Sequence, residues 1–475
     1  MSKELKRIAV ILGAGVTGLK TAAELAKAGY DVTVIEKNDN VGGMSKSFKY
    51  KDYTLDYGPH KFYSQIKGIM PEYKEILGKY CLKIEKTNSL YLLGKYFHFP
   101  PNPAQLLFGI SPLVLIKLGL SYNKALIKST INPKENRSYE DYFINGFGRA
   151  GYELLFKGLC EKVWGDPKEI SEELARRRIP VPSIKEFIRN AITGAKERPD
   201  VSAKYFYYPK QGFGMFTDIL HETIKKYDGK IILEATPTEI VTKNNKITKI
   251  SYKDKTGNKK EIKDIDIIIS TIHLEDFISL FVPSAPKDAL ESTKKLKYRA
   301  LVLCYVFLNK KRALKDNWYF YPERDVCFNR VSEQKTFSPY TVSEDKTVIT
   351  VEISCDEDSE LYKKEEKDIQ NIVVEDLEKV DVLKKEDIIE FFTKKGTRIY
   401  PVYNIGFRDN IKKILEFIHN FDNTYTIGRQ GLFNYNNADH CMDMANLTAN
   451  HIIKNGTREE WRKIIEIFDT YKIVD

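Results

Sequence analysis

The chain has 475 residues, with 76 lysines and arginines against 66 aspartates and glutamates, and so a formal charge of +10 at pH 7. Its 42% apolar and 12% aromatic residues exclude a disordered chain or a collagen-like fibre, and its negative mean hydropathy excludes a polytopic membrane bundle. The basic residues are spread along the whole chain, without the stripe or module that nucleic-acid binding requires. We therefore expect no nucleic-acid partner, and the mild positive charge fits an anionic small molecule.

A glycine motif near the amino terminus predicts a dinucleotide site. Residues 7–12 read as a short buried strand and are followed by the pattern Gly-x-Gly-x-x-Gly at Gly13, Gly15 and Gly18. A helical apolar pattern comes next, and then a second strand that ends in Glu36. Gly13 permits the tight turn, Gly15 lets the backbone approach a pyrophosphate, and Gly18 lets helix and strand pack closely. The phosphates are expected at the helix amino terminus, and Glu36 is expected to accept from ribose hydroxyls.

A second glycine pair indicates which dinucleotide is bound. Gly42 and Gly43 come shortly after Glu36, in a position that resembles the extended motif of the large FAD oxidoreductase superfamily. Adjacent glycines let this loop pass tightly beside the phosphate and ribitol of a flavin cofactor. We therefore expect FAD.

The longest apolar stretch, 104–120, is interrupted by Gln105, Pro112 and Lys117 and is too short to cross a bilayer. Such a stretch either covers a core or lies on a membrane surface, and we favour the core. Further along, the polar segment 185–204 is where we expect a mobile loop, if one closes over a site.

Two later units are typical of the second half of a flavin domain. A β-meander with turns at Asn244-Asn245 and at 256–258 leads into a buried strand, and a strand ending in Gly428 is followed by a helix over 438–453. With the length, these units predict an α/β fold with a discontinuous, Rossmann-like FAD-binding domain, an interleaved helical domain and a β-sheet substrate domain. The expected parts are 1–66, 210–275 and 420–455 for FAD, 67–209 for the mostly helical domain, 276–419 for the antiparallel sheet, and 456–475 for a C-terminal helix.

The spacing of the cysteines and histidines indicates in which cellular compartment the protein occurs and whether it binds a metal ion. The six cysteines contain no Cys-x-x-Cys pair and the seven histidines no His-Glu-x-x-His motif, which argues against a disulfide framework, a zinc ribbon and a zinc protease. The first residues run directly into a strand and leave no room for a signal peptide. We expect a cytoplasmic protein without a metal ion.

Seven sequence blocks occur in the order of one known family. They are YGPHKFYS (57–64), LLGKYFHFPPNP (92–103), FKGLCEKVWGDPKEI with RRIPV (156–181), YPKQGFGMF (208–216), CFNRVSEQKTFSP (327–339), RIYP (398–401) and IGRQGLFNYNNADH (427–440). The set resembles the UDP-galactopyranose mutases, within the amine oxidase and protoporphyrinogen oxidase-like flavoproteins. The NNADH variant and the length are closer to the longer eukaryotic-type members.

The resemblance implies an isomerase that interconverts the pyranose and furanose forms of a nucleotide-diphosphate sugar, for cell-surface polysaccharide synthesis. In this family N5 of the reduced flavin attacks the anomeric carbon and expels the nucleotide diphosphate, which later returns. Arginine suits the retention of that diphosphate because its rigid fork grips phosphate bidentately and never deprotonates. Reduced FAD is implied as the cofactor, with NAD(P)H as a candidate reductant.

The same resemblance assigns roles to individual residues. Arg178, the last of a run of three arginines, and Arg330 would clamp the diphosphate, and His60 would position or modulate flavin N5. The implied substrate contacts are Trp164, Phe156, Tyr400, Tyr435 and Asn437. The implied cofactor contacts are Gly13, Gly15, Thr17, Gly18, Glu36, Lys37, Gly43, Met44, Ser45, Gly58, Pro59, His60, Thr238, Arg429 and Asn437.

Two departures from the family leave the substrate open. Bacterial members carry a uracil-stacking tyrosine three residues after the position of Phe156, where this chain has Leu159, and they carry an acid at the position of Asn437. We favour a UDP-hexose, but thymine could replace uracil, and the sugar could be galactose, N-acetylgalactosamine, fucose or another hexose. A homo-oligomer is also open.

Two other functions remain as alternatives. One is an oxidoreductase on the same scaffold, resembling protoporphyrinogen oxidase, the amine oxidases or the carotenoid desaturases, and the other is a non-catalytic flavin-binding protein. Fold alone does not separate them. An oxidase of a porphyrin or polyene calls for an apolar tunnel, whereas the arginines and tyrosines assigned above favour the mutase.

Overall fold

The computed structural model describes residues 6–99, 105, 108–131, 135–178 and 203–473. The segment 185–204, where a mobile loop is expected, lies outside this range except for residues 203 and 204.

Runs of strands and runs of helices follow one another along the described chain. The strands are β1 Ile8–Leu12, β2 Asp31–Ile35, β3 Ser47–Tyr50, β4 Tyr53–Asp56, β5 Cys81–Glu85, β6 Asn88–Leu92, β7 Lys95–His98, β8 Tyr205–Pro209, β9 Lys230–Ile232, β10 Thr236–Lys243, β11 Lys246–Lys253, β12 Lys259–Lys263, β13 Ile267–Ser270, β14 Phe281–Val282, β15 Lys297–Leu308, β16 Trp318–Phe320, β17 Arg330–Glu333, β18 Thr347–Cys355, β19 Ile388–Val402 and β20 Thr424–Thr426. The α-helices are Val16–Lys27, Ile69–Leu77, Pro112–Ile131, Tyr139–Tyr152, Gly158–Val163, Glu172–Arg178, Gly214–Lys226, Leu274–Ser279, Lys287–Thr293, Gln334–Phe337, Glu360–Lys363, Glu366–Lys379, Phe407–Ile418, Gly428–Gly431, Ala438–Ile453 and Arg458–Phe468. Short 3-10 turns span Gly43–Ser45, Gly78–Tyr80 and Lys385–Asp387, and a π-helical turn spans Glu153–Lys157.

A parallel sheet forms the centre of the predicted cofactor domain. Its strand order is β20-β13-β1-β2-β9, and every neighbouring pair is parallel. Because side chains alternate between the faces of a strand, Ala9 and Ile11 pack toward the helices, while Val10 and Leu12 join the core on the other face. The five strands come from the segments 1–66, 210–275 and 420–455, and the predicted α/β fold is confirmed.

The predicted β-meander forms a second sheet, in the order β12-β11-β10-β14. Asn244 and Asn245 make the turn between β10 and β11 with φ of 49° and 56°, and Gly257 makes the next turn with φ of 82°. Asparagine and glycine tolerate this left-handed conformation better than other residues, so both turns lie where the sequence predicts them. The meander leads into the fully buried β13.

A larger sheet has the order β19-β15-β18-β17-β16-β6-β7. Its long strands come from 276–419, but β6 and β7 come from the segment expected to be mostly helical. These two form a hairpin whose turn, Leu93-Gly94, has φ of 52° and 74°. The sheet therefore extends beyond the segment 276–419 that the sequence predicts for it.

The apolar stretch at 104–120 covers a small core with part of its described residues, since Ile110 is buried against Leu92 and Phe97 and Val114 and Leu115 pack on this cluster. It enters the helix Pro112–Ile131, which packs one side on the helix Tyr139–Tyr152 and leaves Leu113, 80% exposed, on the other. This neighbouring helix covers one side of the helix Pro112–Ile131, and most of its remaining surface is exposed or half-buried. None of the described helices is both long and apolar enough to cross a membrane.

Candidate active site

A cavity of about 810 Å³ lies where the parallel strands end. Its wall includes Gly13, Glu36 and Thr271, which directly follow β1, β2 and β13, and Gly428, which lies two residues after β20. The seven-stranded sheet contributes the opposite wall, through residues such as Leu303 on β15. Ligands of open α/β sheets bind at this end of the strands, and the volume suits a ligand of substantial size.

The two glycine motifs form one cradle. Gly42 N donates to Ala14 O at 2.7 Å, which joins the second loop to the first. A Cβ on Gly18 would lie 2.0 Å from Gly13 O, so only glycine permits the close packing of helix and turn. A Cβ on Gly15 would meet nothing within 4 Å, because this glycine borders the open cavity. The cradle thus leaves room beside the amino terminus of the helix Val16–Lys27, as a pyrophosphate requires.

Glu36 is buried and held in place by the backbone. Its Oε2 accepts from Ala14 N at 2.7 Å and its Oε1 from Asn38 N at 2.9 Å. Each carboxylate oxygen has two lone pairs, and Oε2 has one left for a hydroxyl of a bound ribose. The position fits the role that the spacing predicts.

Most of the predicted cofactor contacts lie on the cavity wall. The described lining includes Gly13, Gly15, Thr17, Glu36, Lys37, Gly43, Met44, Ser45, Pro59, His60, Arg429 and Asn437. Three predicted contacts are not part of that lining. Gly18 lies beneath the turn, Gly58 packs against Glu352, and Thr238 is exposed on β10 because the cavity reaches only Thr236 and Pro237.

Several buried polar atoms on the wall fit a polar ligand. Among the described residues, Trp164 Nε1, Trp318 Nε1 and Gln430 Oε1 are buried without a hydrogen-bond partner, and all three side chains line the cavity. An unsatisfied buried donor or acceptor costs about 1–3 kcal/mol, which a bound ligand with oxygens and N–H groups would recover. The site therefore fits a dinucleotide together with a polar substrate.

Arginines and aromatic rings alternate at the far end of the cavity. The Arg178 guanidinium carbon lies 5.7 Å from the ring centroid of Trp164 and 5.2 Å from that of Tyr435. Arg429 lies 5.2 Å from the ring of Tyr435 and 5.8 Å from that of Tyr400. The two tyrosine rings stack at 5.6 Å. Stacking on aromatic faces fixes each guanidinium, and Arg429 is also held by hydrogen bonds from Nε and Nη2 to Asn436 O. Fixed guanidinium groups of this kind suit an anion.

Arg330 lines the same end of the cavity, but Glu352 already binds the edge of its guanidinium that carries Nε and Nη2. Nε and Nη2 donate to the two carboxylate oxygens of Glu352, with Nη2 3.0 Å from Oε1. The Glu352 carboxylate raises the pKa of Arg330, although burial opposes the shift. A guanidinium has five N–H donors, so Nη1 and the second hydrogen of Nη2 remain for a ligand. Arg330 is therefore expected to bind phosphate only through its end-on edge, which is formed by Nη1 and the second hydrogen of Nη2.

His60 follows β4 in a loop beside the cofactor cradle. Burial lowers its pKa to about 4, and the charges of Arg330 and Arg429 add to the effect, so the ring is neutral at pH 7. Its Nδ1 lies 3.0 Å from Gly58 O, and because a carbonyl only accepts, Nδ1 carries the proton. Nε2 is left as an acceptor, and the ring stacks on Phe213.

Phe156, assigned above as a substrate contact, is not among the described residues that line the cavity. Its ring stacks on Phe143 with centroids 4.0 Å apart, in the core. The π-helical turn Glu153–Lys157 changes the helical register, and the next residues on the wall are Leu159 and Val163. The other assigned substrate contacts, Trp164, Tyr400, Tyr435 and Asn437, do line the cavity.

Sequence reasoning missed Glu352, Trp318 and Gln430. Glu352 had a signal, since it is an acid in the middle of β18, whose nine residues are all buried and mostly apolar. A buried carboxylate needs a partner, and the pattern could have directed the search to an arginine on a neighbouring strand. Nothing local distinguishes Trp318 or Gln430 from core residues.

Comparisons with known proteins agree with this geometry. Residues 11–75 match the family model of an NAD(P)-binding Rossmann-like domain. A Klebsiella pneumoniae protein named "Probable UDP-galactopyranose mutase" is 29% identical over 183 residues, which cover 36% of this chain and 44% of that protein, less than half of its length. Coproporphyrinogen III oxidase of Bacillus subtilis (strain 168) is 23% identical over 447 residues, covering 86% of this chain and 90% of that protein.

Among solved structures, the crystal structure of a reduced UDP-galactopyranose mutase matches with a TM-score of 0.80 at 19% identity, and the match covers 95% of each chain. At this identity the likeness concerns the fold. Mutase and oxidase names both occur among the relatives, so the matches do not separate the two reactions. The chain has an α/β fold like that of the solved UDP-galactopyranose mutase, with an NAD(P)-binding Rossmann-like unit over residues 11–75.

Proposed function

We propose that the protein is an FAD-dependent mutase that interconverts the pyranose and furanose forms of a nucleotide-diphosphate sugar, with a UDP-hexose as the favoured substrate. The observation that carries the proposal is the convergence of Arg178, Arg330 and Arg429 with Tyr400 and Tyr435 at one end of a dinucleotide cavity. A sugar diphosphate that must leave and return needs fixed cations and donors that hold it throughout the reaction.

Each side chain has a defined task in this proposal. Arg178 and the end-on edge of Arg330 hold the diphosphate, and Arg178 is kept in place by the rings of Trp164 and Tyr435. Burial raises the pKa of Tyr400, so its hydroxyl stays protonated and donates to phosphate oxygen. The reduced flavin, when bound, supplies the nucleophile for the anomeric carbon.

His60 acts as a positioning group. The neutral ring has its proton on Nδ1 and an accepting Nε2, and Phe213 fixes its plane. An acceptor beside the flavin can orient a donor on the cofactor or on the sugar, whereas a histidine with such a low pKa is a weak base at pH 7. Asn437, at the amino terminus of the helix Ala438–Ile453, is proposed to contact the cofactor or the sugar.

The cavity wall is cationic, as a substrate with a diphosphate requires. Its described positive side chains are Lys37, Lys46, Lys61, Arg178, Arg330, Lys394, Lys395, Arg398 and Arg429, and its described carboxylates are Glu36 and Asp276.

A competition panel of free UDP, TDP and GDP identifies the base of the bound nucleotide. Cytoplasmic location, a role in cell-surface polysaccharide synthesis and NAD(P)H as reductant belong to the same proposal.

A flavin-dependent oxidase is the second candidate. It is favoured by the coproporphyrinogen III oxidase, whose match covers 90% of that protein. A carboxylated tetrapyrrole would also use arginines, so the charge of the wall does not separate the two candidates. The reactions differ in their electron balance, since the mutase has no net redox change.

Turnover with and without reduction distinguishes the candidates. FAD-loaded protein, either oxidised or reduced with dithionite under nitrogen, is incubated with UDP-galactopyranose, and the ring forms are separated by chromatography. We expect UDP-galactofuranose from the reduced protein alone. Equal conversion by the oxidised protein, or oxygen uptake mole for mole with substrate in air, would show that the mutase proposal is wrong.

A further inference from the structure

The helix Pro112–Ile131 carries an apolar stripe on its outer surface. Leu113, Ile116, Leu120, Ile127 and Ile131 are between 59% and 80% exposed. At about 100° per residue these five side chains fall within an arc of about 60° along the whole helix. Single exposed apolar residues are ordinary, but a continuous stripe of five is typical of an interaction surface.

A row of lysines borders the stripe on one side. Lys117, Lys124 and Lys128 are exposed and follow the stripe over the next arc of about 40°. Among the described residues none of the three forms an ion pair. The sequence from 104 to 134 contains no aspartate or glutamate, so this segment itself carries only positive charge.

The opposite side of the helix is anchored to the protein. It packs on the helix Tyr139–Tyr152, and Ala150 N donates to Ser121 Oγ at 2.9 Å across the contact. Ala125, on this side, is buried. The 20 residues give a rod of about 30 Å that lies along the surface with one side free for a ligand.

Charge decides which partner fits. In a symmetric pair of copies joined through the stripe, each helix would bring its lysine row and no acid to neutralise the other. Anionic lipid headgroups complement such a row, and the apolar stripe can enter the boundary between headgroups and acyl chains. Lysine stems extend along apolar surface while the ammonium stays with the phosphates.

We propose that the helix Pro112–Ile131 docks the protein on the surface of a membrane containing anionic lipids, with the apolar stripe inserted and the lysine row on the headgroups. The contact is peripheral, as the described helices do not cross a bilayer. It is independent of the reaction in the cavity.

The full-length, FAD-loaded protein tests the proposal by co-sedimentation with vesicles of phosphatidylcholine, either alone or with about one third phosphatidylglycerol. Two variants remove the two parts of the surface, L120Q/I127Q and K117Q/K124Q/K128Q. The control I453Q/I467Q changes two exposed isoleucines on other helices. Circular dichroism and flavin content confirm that each variant is folded.

We expect binding to the anionic vesicles that weakens as salt is added. Each lysine replaced should lower the partition coefficient about fivefold, and L120Q/I127Q should lower it by at least about tenfold, while the control binds like the wild type. The proposal would be overturned if the wild type failed to pellet with the anionic vesicles or bound the neutral vesicles equally well. It would also be overturned if both L120Q/I127Q and K117Q/K124Q/K128Q bound like the wild type. A concentration-dependent dimer that L120Q/I127Q abolishes would show that a second copy occupies the stripe instead.

Discussion

Arg330 and Glu352 lie opposite each other on the neighbouring strands β17 and β18, and the carboxylate accepts two hydrogen bonds from the guanidinium. Glu352 is only 2% exposed, so its charge depends on this partner. The pair fixes the direction of Arg330 and leaves its end-on edge for a ligand. A buried acid on one strand thus prepares an arginine on the next for the chemistry of the cavity.

Removing this partner should destabilise the protein. Glu352→Gln keeps the shape but leaves a partly buried guanidinium without its counter-charge, and we expect the free energy of unfolding to fall by about 3 kcal/mol. Urea unfolding measures the change. Glu459→Gln, in an exposed pair with Lys463, should change the free energy by less than about 1 kcal/mol. Equal effects of the two substitutions would show that the buried pair does not hold the site.

Loss of Arg330 should affect the substrate and spare the cofactor. Arg330→Ala is expected to weaken UDP binding by about 30-fold or more, since truncating a charged partner costs about 2 kcal/mol or more. Calorimetry measures the affinity and absorbance of the purified protein its FAD content. If the variant loses FAD, Arg330 faces the cofactor or the core and not the diphosphate.

Neighbouring arginines on one helix offer a matched pair. Arg178 stacks on Trp164 and Tyr435 in the cavity, whereas Arg176 is 62% exposed and pairs with Glu172 one turn earlier. We expect Arg178→Ala to weaken UDP binding at least about tenfold and Arg176→Ala to leave it unchanged. The opposite order would move the diphosphate clamp to the other arginine.

A glycine in the cradle should separate folding from cofactor binding. A methyl group at Gly15 meets no protein atom within 4 Å but enters the space expected for the pyrophosphate. Gly15→Ala is therefore expected to unfold at the same urea concentration as the wild-type apoprotein and to lose most of its FAD. Gly119→Ala, which also meets no atom within 4 Å, is the control and should retain FAD. Full FAD content in Gly15→Ala would place the cofactor elsewhere.

The protonation of His60 can be measured directly. Its pKa is lowered to about 4 in the folded protein from an ordinary value of 6.5, so between these values the unfolded chain binds more protons. The contribution of His60 to stability is therefore present above pH 6.5 and lost as the pH falls through 4. The histidine signal that disappears in His60→Gln should titrate near pH 4 in an NMR experiment. A midpoint near 6.5 would show that the ring is solvated.

Local spacing was sufficient to predict the Rossmann-like dinucleotide-binding unit, which the family match over residues 11–75 confirms. Gly13, Gly15 and Gly18 with Glu36 lie in one strand-turn-helix-strand unit, and such a unit folds from short-range constraints. The resemblance supplied His60, Arg330 and Tyr435, which the fold brings together from distant parts of the chain.

Other features depend on contacts that the sequence does not reveal. The partner of Arg330 is set by the register of β17 on β18, and Phe156 is turned into the core by a π-helical turn. The helix Pro112–Ile131 is apolar on several sides, and only the tertiary structure shows which side is covered. In each case the deciding interaction is between elements and not within one.

The proposed reaction requires that the bond between sugar and diphosphate breaks while the protein retains both parts. UDP-galactopyranose labelled with oxygen-18 in the bridge between the anomeric carbon and the phosphorus tests this most directly. We expect the reduced protein to move the label into non-bridging positions of the β-phosphate and the oxidised protein to leave it in the bridge. A label that stays in the bridge while the reduced protein converts the sugar would contradict the proposed bond cleavage.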